Sequence, residues 1–334
     1  MESQINSVEV PIFWPSLEQF ANFGNFIKWL EAQDLSFAKV IPPPEWEPKS
    51  KIIPGEFMLE NVYSQRHDKL QHGGYEIINT KLDPMTYSHY VQLATANECE
   101  INEDKFWENV ASKSSSNLYA IDNDISLFGD DVSLWNLSKL TKTHSNIHGT
   151  NTTMNIAEGI QRPFSYFAVG SSCFGAHIED GNLNSINILH RGAPKLWYFI
   201  RQDQNKKFEQ LTKKMSKNID CDLYVRHKTI LPSPSVLDAQ KIGFSRVLQN
   251  AGEIIISFSG GYHFGFSLGT NEAESVNFGS ERWLRFLMTS KYAHAPTREM
   301  NNTLTSDGSP ESSMISVRSF PVRYVKPIMI RSLH

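Results

Sequence analysis

Short apolar segments rich in β-branched and aromatic residues dominate the middle of this 334-residue sequence. Four of them lie at residues 165–169, 185–189, 195–200 and 253–258, and glycine and proline stand between them. Segments of this length and composition favour β-strands. The pattern predicts a mostly β fold with helical additions, whose core is a double-stranded β-helix, that is, a jelly-roll or cupin-like barrel. The interior of such a barrel can hold a metal ion and a small cosubstrate.

Two histidines and a carboxylate lie at the ends of these segments. His177 and Glu179 are two residues apart, so that on a strand both side chains point to the same face. His263 follows the apolar segment 253–258. Two histidines and one carboxylate form the facial triad of non-haem Fe(II) oxygenases, which leaves positions open for a cosubstrate and dioxygen. We therefore predict that His177, Glu179 and His263 bind iron and form the catalytic centre. A His-x-Glu pair alone is a weak signal, and a lone strand histidine is often a hydrogen-bonded core residue, so the prediction depends on the barrel context.

The composition, with 40% hydrophobic and 20% charged residues, is that of a globular protein. No charged-then-apolar signal sequence and no run of about 18 apolar residues is present, so we expect neither secretion nor membrane insertion. Three scattered cysteines, Cys99, Cys173 and Cys221, are too few for a disulfide framework and predict a reducing compartment. The net charge of −4 argues against general nucleic-acid binding and suits a basic partner.

Outside the barrel core, two segments have helical periodicity, and one short segment is predicted to form a strand. Ser16 and Gln19 form the capping-box pattern of a helix start, and apolar residues then recur at helical spacing at Leu17, Phe20, Phe23, Ile27 and Leu30. Residues 204–217 read as an exposed amphipathic helix. Residues 75–79 read as a strand that pairs with the edge of the barrel.

Longer motifs resemble a known family. Residues 158–180 read EGIQRPFSYFAVGSSCFGAHIED, and later stretches read SINILHRGAPKLWYFI and GGYHFGFSLGTNEAESVNFGSERW. Together they resemble the JmjC domain of histone lysine demethylases, most closely the lysine-specific demethylase 4 family. Residues 10–16 and 38–46 resemble the JmjN segment that accompanies JmjC in that family.

The resemblance also implies a domain organisation. The four parts are a JmjN segment at residues 8–50, a connector at 51–117 that packs on the core, the JmjC catalytic domain at 118–295 and a C-terminal extension at 296–334. The extension is expected to be partly disordered, because its polar stretch has almost no apolar residues to bury.

The resemblance implies Fe(II) and 2-oxoglutarate as cofactors. The dicarboxylate needs a cation for its far carboxylate, and Lys195, at the start of an apolar strand, is placed awkwardly unless it pairs with an anion or extends to the surface. In the family, the residues that bind 2-oxoglutarate or pack beside it correspond to Tyr119, Phe174, Ser185, Asn187, Lys195 and Trp197.

The resemblance also implies a methyllysine pocket. Oxygens and an aromatic ring complement a dispersed positive charge, and the family positions that surround it match Gly159, Tyr166, Glu179 and Ser275. Val276 stands beside them where several members have a hydroxyl residue, and Asp122 and Lys228 are expected to line the groove. The alternative for each residue is an ordinary role in the barrel.

A structural zinc site in the family is altered here. Its ligands are a cysteine, a histidine and a Cys-x-Cys pair; Cys221 and His227 match the first two. Ala293 and Ala295, which flank His294, replace the pair. A closed zinc site needs four ligands, so the possible site of Cys221, His227 and His294 is incomplete. Zinc is either absent or held by a rebuilt set.

These observations predict an Fe(II) and 2-oxoglutarate-dependent dioxygenase that demethylates methyllysine in histone tails, in the nucleus, by N-methyl hydroxylation with release of formaldehyde. The resemblance implies lysine 9 or lysine 36 of histone H3 as the target and chromatin as the partner, without sequence-specific DNA binding. The alternatives are a protein hydroxylase with the same cofactors and a catalytically silent chromatin-binding module.

Overall fold

The structure, a computed structural model, describes residues 10–96, 98, 100–112, 117–130, 132, 134–143, 162–216, 224–280 and 282–283. Seven α-helices lie in these residues: α1 (Leu17–Ala21), α2 (Phe23–Ala32), α3 (Tyr87–Ala96), α4 (Glu103–Ser112), α5 (Leu137–Thr143), α6 (Asn205–Met215) and α7 (Pro234–Ala239). None of the described helices is long and apolar enough to span a membrane.

The described strands are β1 (Ile12–Phe13), β2 (Phe37–Val40), β3 (Met58–Leu59), β4 (Val62–Lys69), β5 (Gly74–Lys81), β6 (Met85–Thr86), β7 (Asn117–Asn123), β8 (Phe164–Ala168), β9 (Cys173–His177), β10 (Asn184–Gly192), β11 (Lys195–Ile200), β12 (Ile230–Pro232), β13 (Phe244–Gln249), β14 (Ile254–Ser257), β15 (His263–Ser267) and β16 (Asn271–Phe278).

Two main sheets form the barrel. The larger has ten strands in the order β1-β2-β14-β10-β16-β8-β7-β4-β5-β12, and the smaller has four in the order β13-β11-β15-β9. Pairing is antiparallel throughout except between β1 and β2. Aromatic and aliphatic side chains from both sheets meet between them in one cluster, which contains Val10, Phe37, Trp197, Phe199 and Ile255. The predicted jelly-roll core is therefore confirmed.

Helices cover the outer faces of both sheets. Helices α1, α2 and α5 pack on the outer face of β2, β10, β14 and β16, and α4 and α6 pack on the outer face of the smaller sheet. The predicted helix at residues 204–217 is observed as α6, with Phe208, Leu211 and Met215 buried. The predicted strand at residues 75–79 lies within β5, and its neighbour β4 pairs with β7 of the barrel.

The N-terminal helical segment differs in detail from the sequence pattern. The capping box at Ser16 and Gln19 forms as predicted. The helix breaks at Asn22, whose φ of −104° and ψ of 78° are not helical and whose side chain accepts a hydrogen bond from Asn25 N at the start of α2. Leu17, predicted to lie on the buried face, is 42% exposed because the break ends the helical repeat after α1.

Candidate iron and 2-oxoglutarate site

The three predicted iron ligands converge at one end of the smaller sheet. His177 ends β9 and His263 begins β15, and the two residues are paired across these strands. Glu179 follows two residues after His177 in extended backbone, with φ −60° and ψ 148°. The candidate ligand atoms of the three residues all lie within 4.8 Å of one another. Within the described part of the chain, no other group of His, Cys, Asp and Glu is spaced to hold a metal.

Hydrogen bonds orient each ligand. Nδ1 of His177 donates to Gly175 O at 2.7 Å, and Nδ1 of His263 donates to Gly261 O at 3.1 Å, so that each Nε2 remains available to a metal. Nε2 of His263 lies 3.4 Å from Oε1 of Glu179. The other carboxylate oxygen, Oε2, accepts a hydrogen bond from Asn277 Nδ2 at 3.1 Å.

The protonation states of this cluster suit a divalent cation. Burial and the neighbouring His263 together lower the pKa of His177 to about 3. Burial alone would raise the pKa of Glu179, but the neighbouring His263 and His177 hold it well below its usual value. A neutral imidazole and an ionised carboxylate are the forms that bind metal, so the donor set fits Fe(II).

Lys195 places a buried cationic group in the same barrel. It begins β11, is 2% exposed and pairs in register with Ser267, while Phe199 on the same strand pairs with His263. Its Nζ donates to the Ser267 hydroxyl at 3.0 Å, and no carboxylate of the described residues forms an ion pair with it. Burial lowers the pKa of Lys195 to about 7. A buried amine without a counter-ion creates a site that favours an anion.

Other residues predicted to bind 2-oxoglutarate lie on strands of the same barrel: Tyr119 on β7, Phe174 on β9, Ser185 and Asn187 on β10, and Trp197 on β11. The Lys195 Nζ lies 5.7 Å from the ring centroid of Tyr119. The rings of Phe174 and Trp197 are 4.7 Å apart. The Ser185 and Ser257 hydroxyls are hydrogen-bonded at 2.5 Å.

Gln249 is a buried connecting residue that the sequence reasoning missed. Its Nε2 donates to Asn187 Oδ1 at 3.2 Å, and its Oε1 accepts from Trp197 Nε1 at 2.8 Å. It is fully buried and pairs with Lys195 across β13 and β11. A polar residue at the end of a strand was the only signal in the sequence, and many such residues are exposed.

The structure brings together three of the predicted substrate residues. Ser275 Oγ donates to the Tyr166 hydroxyl at 3.3 Å, and the Tyr166 hydroxyl is hydrogen-bonded to Asp122. Burial raises the pKa of both Tyr166 and Asp122.

Lys228 lies close to the carboxylates of Asp180, Glu179 and Asp122. Its Nζ is 3.4 Å from Asp180 Oδ2. Burial would lower the pKa of Lys228, but Asp180, Glu179 and Asp122 raise it above its usual value. Lys228 and Asp122 both have positive φ, 62° and 53°, a backbone conformation that non-glycine residues adopt rarely and that is enriched at functional sites.

Val276 does not join this group. Its side chain is 1% exposed and packs in the cluster that α1 and α2 form with the outer face of the larger sheet. Successive strand residues point to opposite faces, so Ser275 and Asn277 face the barrel interior and Val276 faces away. The expectation that Val276 lines the pocket is wrong.

Some residues of the predicted substrate pocket and of the possible zinc site lie outside the described residues. Gly159 of the substrate pocket and Cys221 and His294 of the possible zinc site belong to segments that the structure does not describe, as do Ala293, Ala295 and residues 296–334. His227 is described: it lies in a 3₁₀ turn, and its Nε2 is buried without a hydrogen-bond partner among the described residues. Burial lowers its pKa.

Comparison with known protein families agrees with this geometry. Residues 164–278, from β8 to the end of β16, match the JmjC domain, described as a hydroxylase domain. This part of the chain is similar to the JmjC domain. All three members of the candidate metal cluster lie within the matched range, as do Lys195, Asn187 and Tyr166.

Three curated proteins are similar over most of the chain. Lysine-specific demethylase 4B of Mus musculus is 33% identical over 297 residues, which are 85% of this chain and 27% of that protein. Lysine-specific demethylase 4D of Rattus norvegicus is 32% identical over 85% of this chain and 58% of that protein. Probable lysine-specific demethylase 4F of Homo sapiens is 31% identical over 85% of this chain and 46% of that protein.

The chain thus spans between 27% and 58% of the length of these relatives. The resemblance of the JmjC sequence to the lysine-specific demethylase 4 family is confirmed. The JmjN assignment and the domain boundaries stay predictions.

Proposed function

We propose that this JmjC protein is an Fe(II) and 2-oxoglutarate-dependent dioxygenase that demethylates methyllysine in histone tails. The observation that carries the proposal is the pairing of two features in one barrel: the His177, Glu179 and His263 cluster, and a buried Lys195 that has no counter-ion among the described residues. The triad suits ferrous iron, and the lysine suits the far carboxylate of a dicarboxylate cosubstrate.

In this proposal His177, Glu179 and His263 hold the metal. Gly175 O and Gly261 O fix the two imidazoles through Nδ1, and Asn277 fixes the carboxylate. When bound, iron with 2-oxoglutarate and dioxygen supplies an oxidation that hydroxylates an N-methyl group, which then leaves as formaldehyde.

The barrel residues bind and orient the cosubstrate. Lys195 pairs with the carboxylate remote from the metal, and Tyr119 and Asn187 complete its polar surroundings. Phe174 and Trp197 pack beside it and exclude water from this part of the barrel. Gln249 holds Asn187 and Trp197 in place through a hydrogen bond to each side chain.

Oxygen atoms near the metal cluster suit a methylated ammonium group. Tyr166, Ser275 and Asp122 form one hydrogen-bonded chain, and Glu179 lies beside the same space. Gly159, which the sequence assigns to this pocket, completes the proposed set. Lys228, paired with Asp180, lies at the edge of the pocket and is proposed to line the peptide groove.

The proposed substrate is the tail of histone H3, with lysine 9 or lysine 36 as the target, and the proposed location is the nucleus. Two of the relatives described above are named lysine-specific demethylases, and the third is named a probable one. A net charge of −4 attracts a basic tail through fields that weaken with salt.

A panel of histone H3 and H4 peptides with mono-, di- and trimethyllysine tests the proposal. Each peptide is incubated with the protein, Fe(II), ascorbate and 2-oxoglutarate, and the products are read by mass spectrometry and formaldehyde release. Loss of methyl mass with formaldehyde, absent in His177→Ala, is the expected result. Gain of one oxygen without demethylation would identify a protein hydroxylase, and cosubstrate binding without turnover would identify a silent binding module.

A further inference from the structure

The two metal-site histidines are oriented by the same kind of hydrogen bond. Each Nδ1 donates to the carbonyl of a glycine two residues earlier, Gly175 for His177 and Gly261 for His263. Neither glycine has room for a side chain. A Cβ on Gly175 would lie 2.3 Å from the Lys228 carbonyl oxygen, and a Cβ on Gly261 would lie 2.2 Å from Cζ of Phe37. Each orienting peptide is therefore packed tightly against another part of the chain.

The two contacts differ in kind. Gly175 lies against backbone, whereas Gly261 lies against an aromatic side chain from the N-terminal strand β2. Phe37 is 6% exposed and pairs with Ser257 on β14, which fixes its position on the larger sheet. The N-terminal segment thus contacts the residues of the metal cluster through the ring of Phe37.

The ring of Phe37 fills the space between three features of the smaller sheet. It stacks on Phe199 with centroids 4.0 Å apart, and it meets the imidazole of His263 edge-on at 6.2 Å and 72°. Phe199 is also the cross-strand partner of His263. Gly261, Phe199 and His263 therefore share one aromatic neighbour.

We propose that Phe37 is a positioning residue for the metal centre, acting through Gly261 to fix the imidazole of His263. The inference rests on the proposed iron site. Gly260, with φ of 83°, and Gly261 form a pair with wide conformational freedom. Asn205 Nδ2 holds the Gly260 carbonyl at 2.6 Å, and the Phe37 ring restrains the Gly261 side of the pair. Without the ring, the carbonyl that orients His263 loses its support.

Cobalt(II) binding to the full chain tests this role without any turnover. The dissociation constant is measured by calorimetry, and the visible absorption of Co(II) reports the ligand geometry. The variants are Phe37→Ala, Phe37→Leu, Gly261→Ala and the double variant Phe37→Ala/Gly261→Ala. Phe26→Ala is the matched control, because Phe26 is a buried aromatic residue of the same N-terminal segment that packs on Trp135 instead.

Phe37→Ala is expected to weaken Co(II) binding by about tenfold or more and to change the absorption band, since loss of a group that orients a ligand typically reduces metal affinity about 10- to 100-fold. Phe37→Leu should restore most of the affinity. Gly261→Ala should bind poorly because its methyl group meets the ring, and the double variant should bind more tightly than Gly261→Ala because the ring is gone. Phe26→Ala should lower the melting temperature and leave Co(II) affinity unchanged.

The role of Phe37 is overturned if Phe37→Ala binds Co(II) as the wild type does, if Phe26→Ala weakens binding equally, or if the double variant binds no more tightly than Gly261→Ala. A wild-type protein that binds no Co(II) would instead overturn the proposed metal site. The two failures are therefore distinguishable.

Discussion

At the scale of single residues, two buried lysines illustrate how partners determine the effect of a charge. Lys39 is paired with Glu253 Oε2 at 2.7 Å and donates to Leu248 O. Among the described residues, Lys195 donates to a serine hydroxyl and lies over the Tyr119 ring, but has no carboxylate partner. Burying an amine without a counter-ion destabilises the protein, whereas removing one member of a buried ion pair leaves the other uncompensated.

We therefore predict opposite results for two equivalent substitutions. Lys195→Met should leave the free energy of unfolding of the cofactor-free protein unchanged or higher, and should weaken 2-oxoglutarate binding by well over tenfold, since loss of a buried charge partner costs about 2 to 5 kcal/mol. Lys39→Met should lower the free energy of unfolding. Chemical denaturation and calorimetric titration with 2-oxoglutarate measure both. An unchanged dissociation constant in Lys195→Met would refute the assigned role.

His67 gives a prediction on pH. It is 3% exposed, and its Nε2 lies 3.2 Å from Cys173 Sγ. Burial lowers the pKa of His67 from 6.5 to about 4. Between these two values the unfolded chain binds a proton that the folded protein does not, so stability falls as the pH is lowered through this window, by up to about 1.4 kcal/mol per pH unit.

The measurement is the free energy of unfolding of the wild type and of His67→Gln at several pH values from neutral to acidic. The difference between them isolates His67 from the other histidines. The wild type should lose more stability than the variant as the pH falls. Parallel pH profiles would show that His67 is not buried in its neutral form.

The sequence predicted the site residues whose type is required by metal binding. It missed the residues whose role depends on contacts between distant segments. His177, Glu179 and His263 could be predicted because metal binding requires these residue types at strand ends, and the structure brings them together. Gln249 and Asn277 act through contacts between distant segments, which spacing does not reveal. Val276 was assigned to the pocket because it stands next to Ser275. Adjacent residues of a strand point to opposite faces, and the assignment ignored this alternation.

At the scale of elements, the break between α1 and α2 could not be seen in the spacing of the hydrophobic residues. Phe20, Phe23, Ile27 and Leu30 are buried as one helical face would be, yet the chain leaves the helical conformation at Asn22. Hydrophobic spacing does not detect the break because the two helices bury residues against the same cluster.

Asn22 therefore has a testable capping role. Asn22→Ala removes the side-chain acceptor for Asn25 N and should lower the free energy of unfolding by about 1 kcal/mol, while Asn22→Asp keeps the acceptor and should lower it less. Urea denaturation measures both variants. Equal stability of Asn22→Ala and the wild type would mean that the break is held by packing alone.

At the scale of the whole molecule, strand order could not be read from the sequence. The sequence predicted the strands β5, β8, β10, β11 and β14 but not β2, β4 or β7, and the pairing of β2 with β14, and of β4 with β7, joins segments far apart in the chain. Such pairings depend on which faces bury apolar residues together in three dimensions. The N-terminal segment consequently contributes Phe37 to the interior cluster of the barrel.

The metal content of the whole chain provides a further prediction. Ala293 and Ala295 cannot bind metal, and Cys221, His227 and His294 are one ligand short of a closed structural site. Elemental analysis of the purified protein should give less than one zinc per chain. One tightly held zinc per chain, lost on His227→Ala, would show that an additional ligand rebuilds the site.

The most direct test of the central claim is succinate formation from 2-oxoglutarate, measured with Fe(II) in the wild type and in His177→Ala. The wild type should form succinate in an iron-dependent manner. His177→Ala should form none while keeping a wild-type circular dichroism spectrum, because removing one of three ligands disables the metal site and leaves the apolar core of the barrel intact. Undiminished succinate formation by His177→Ala would contradict the account.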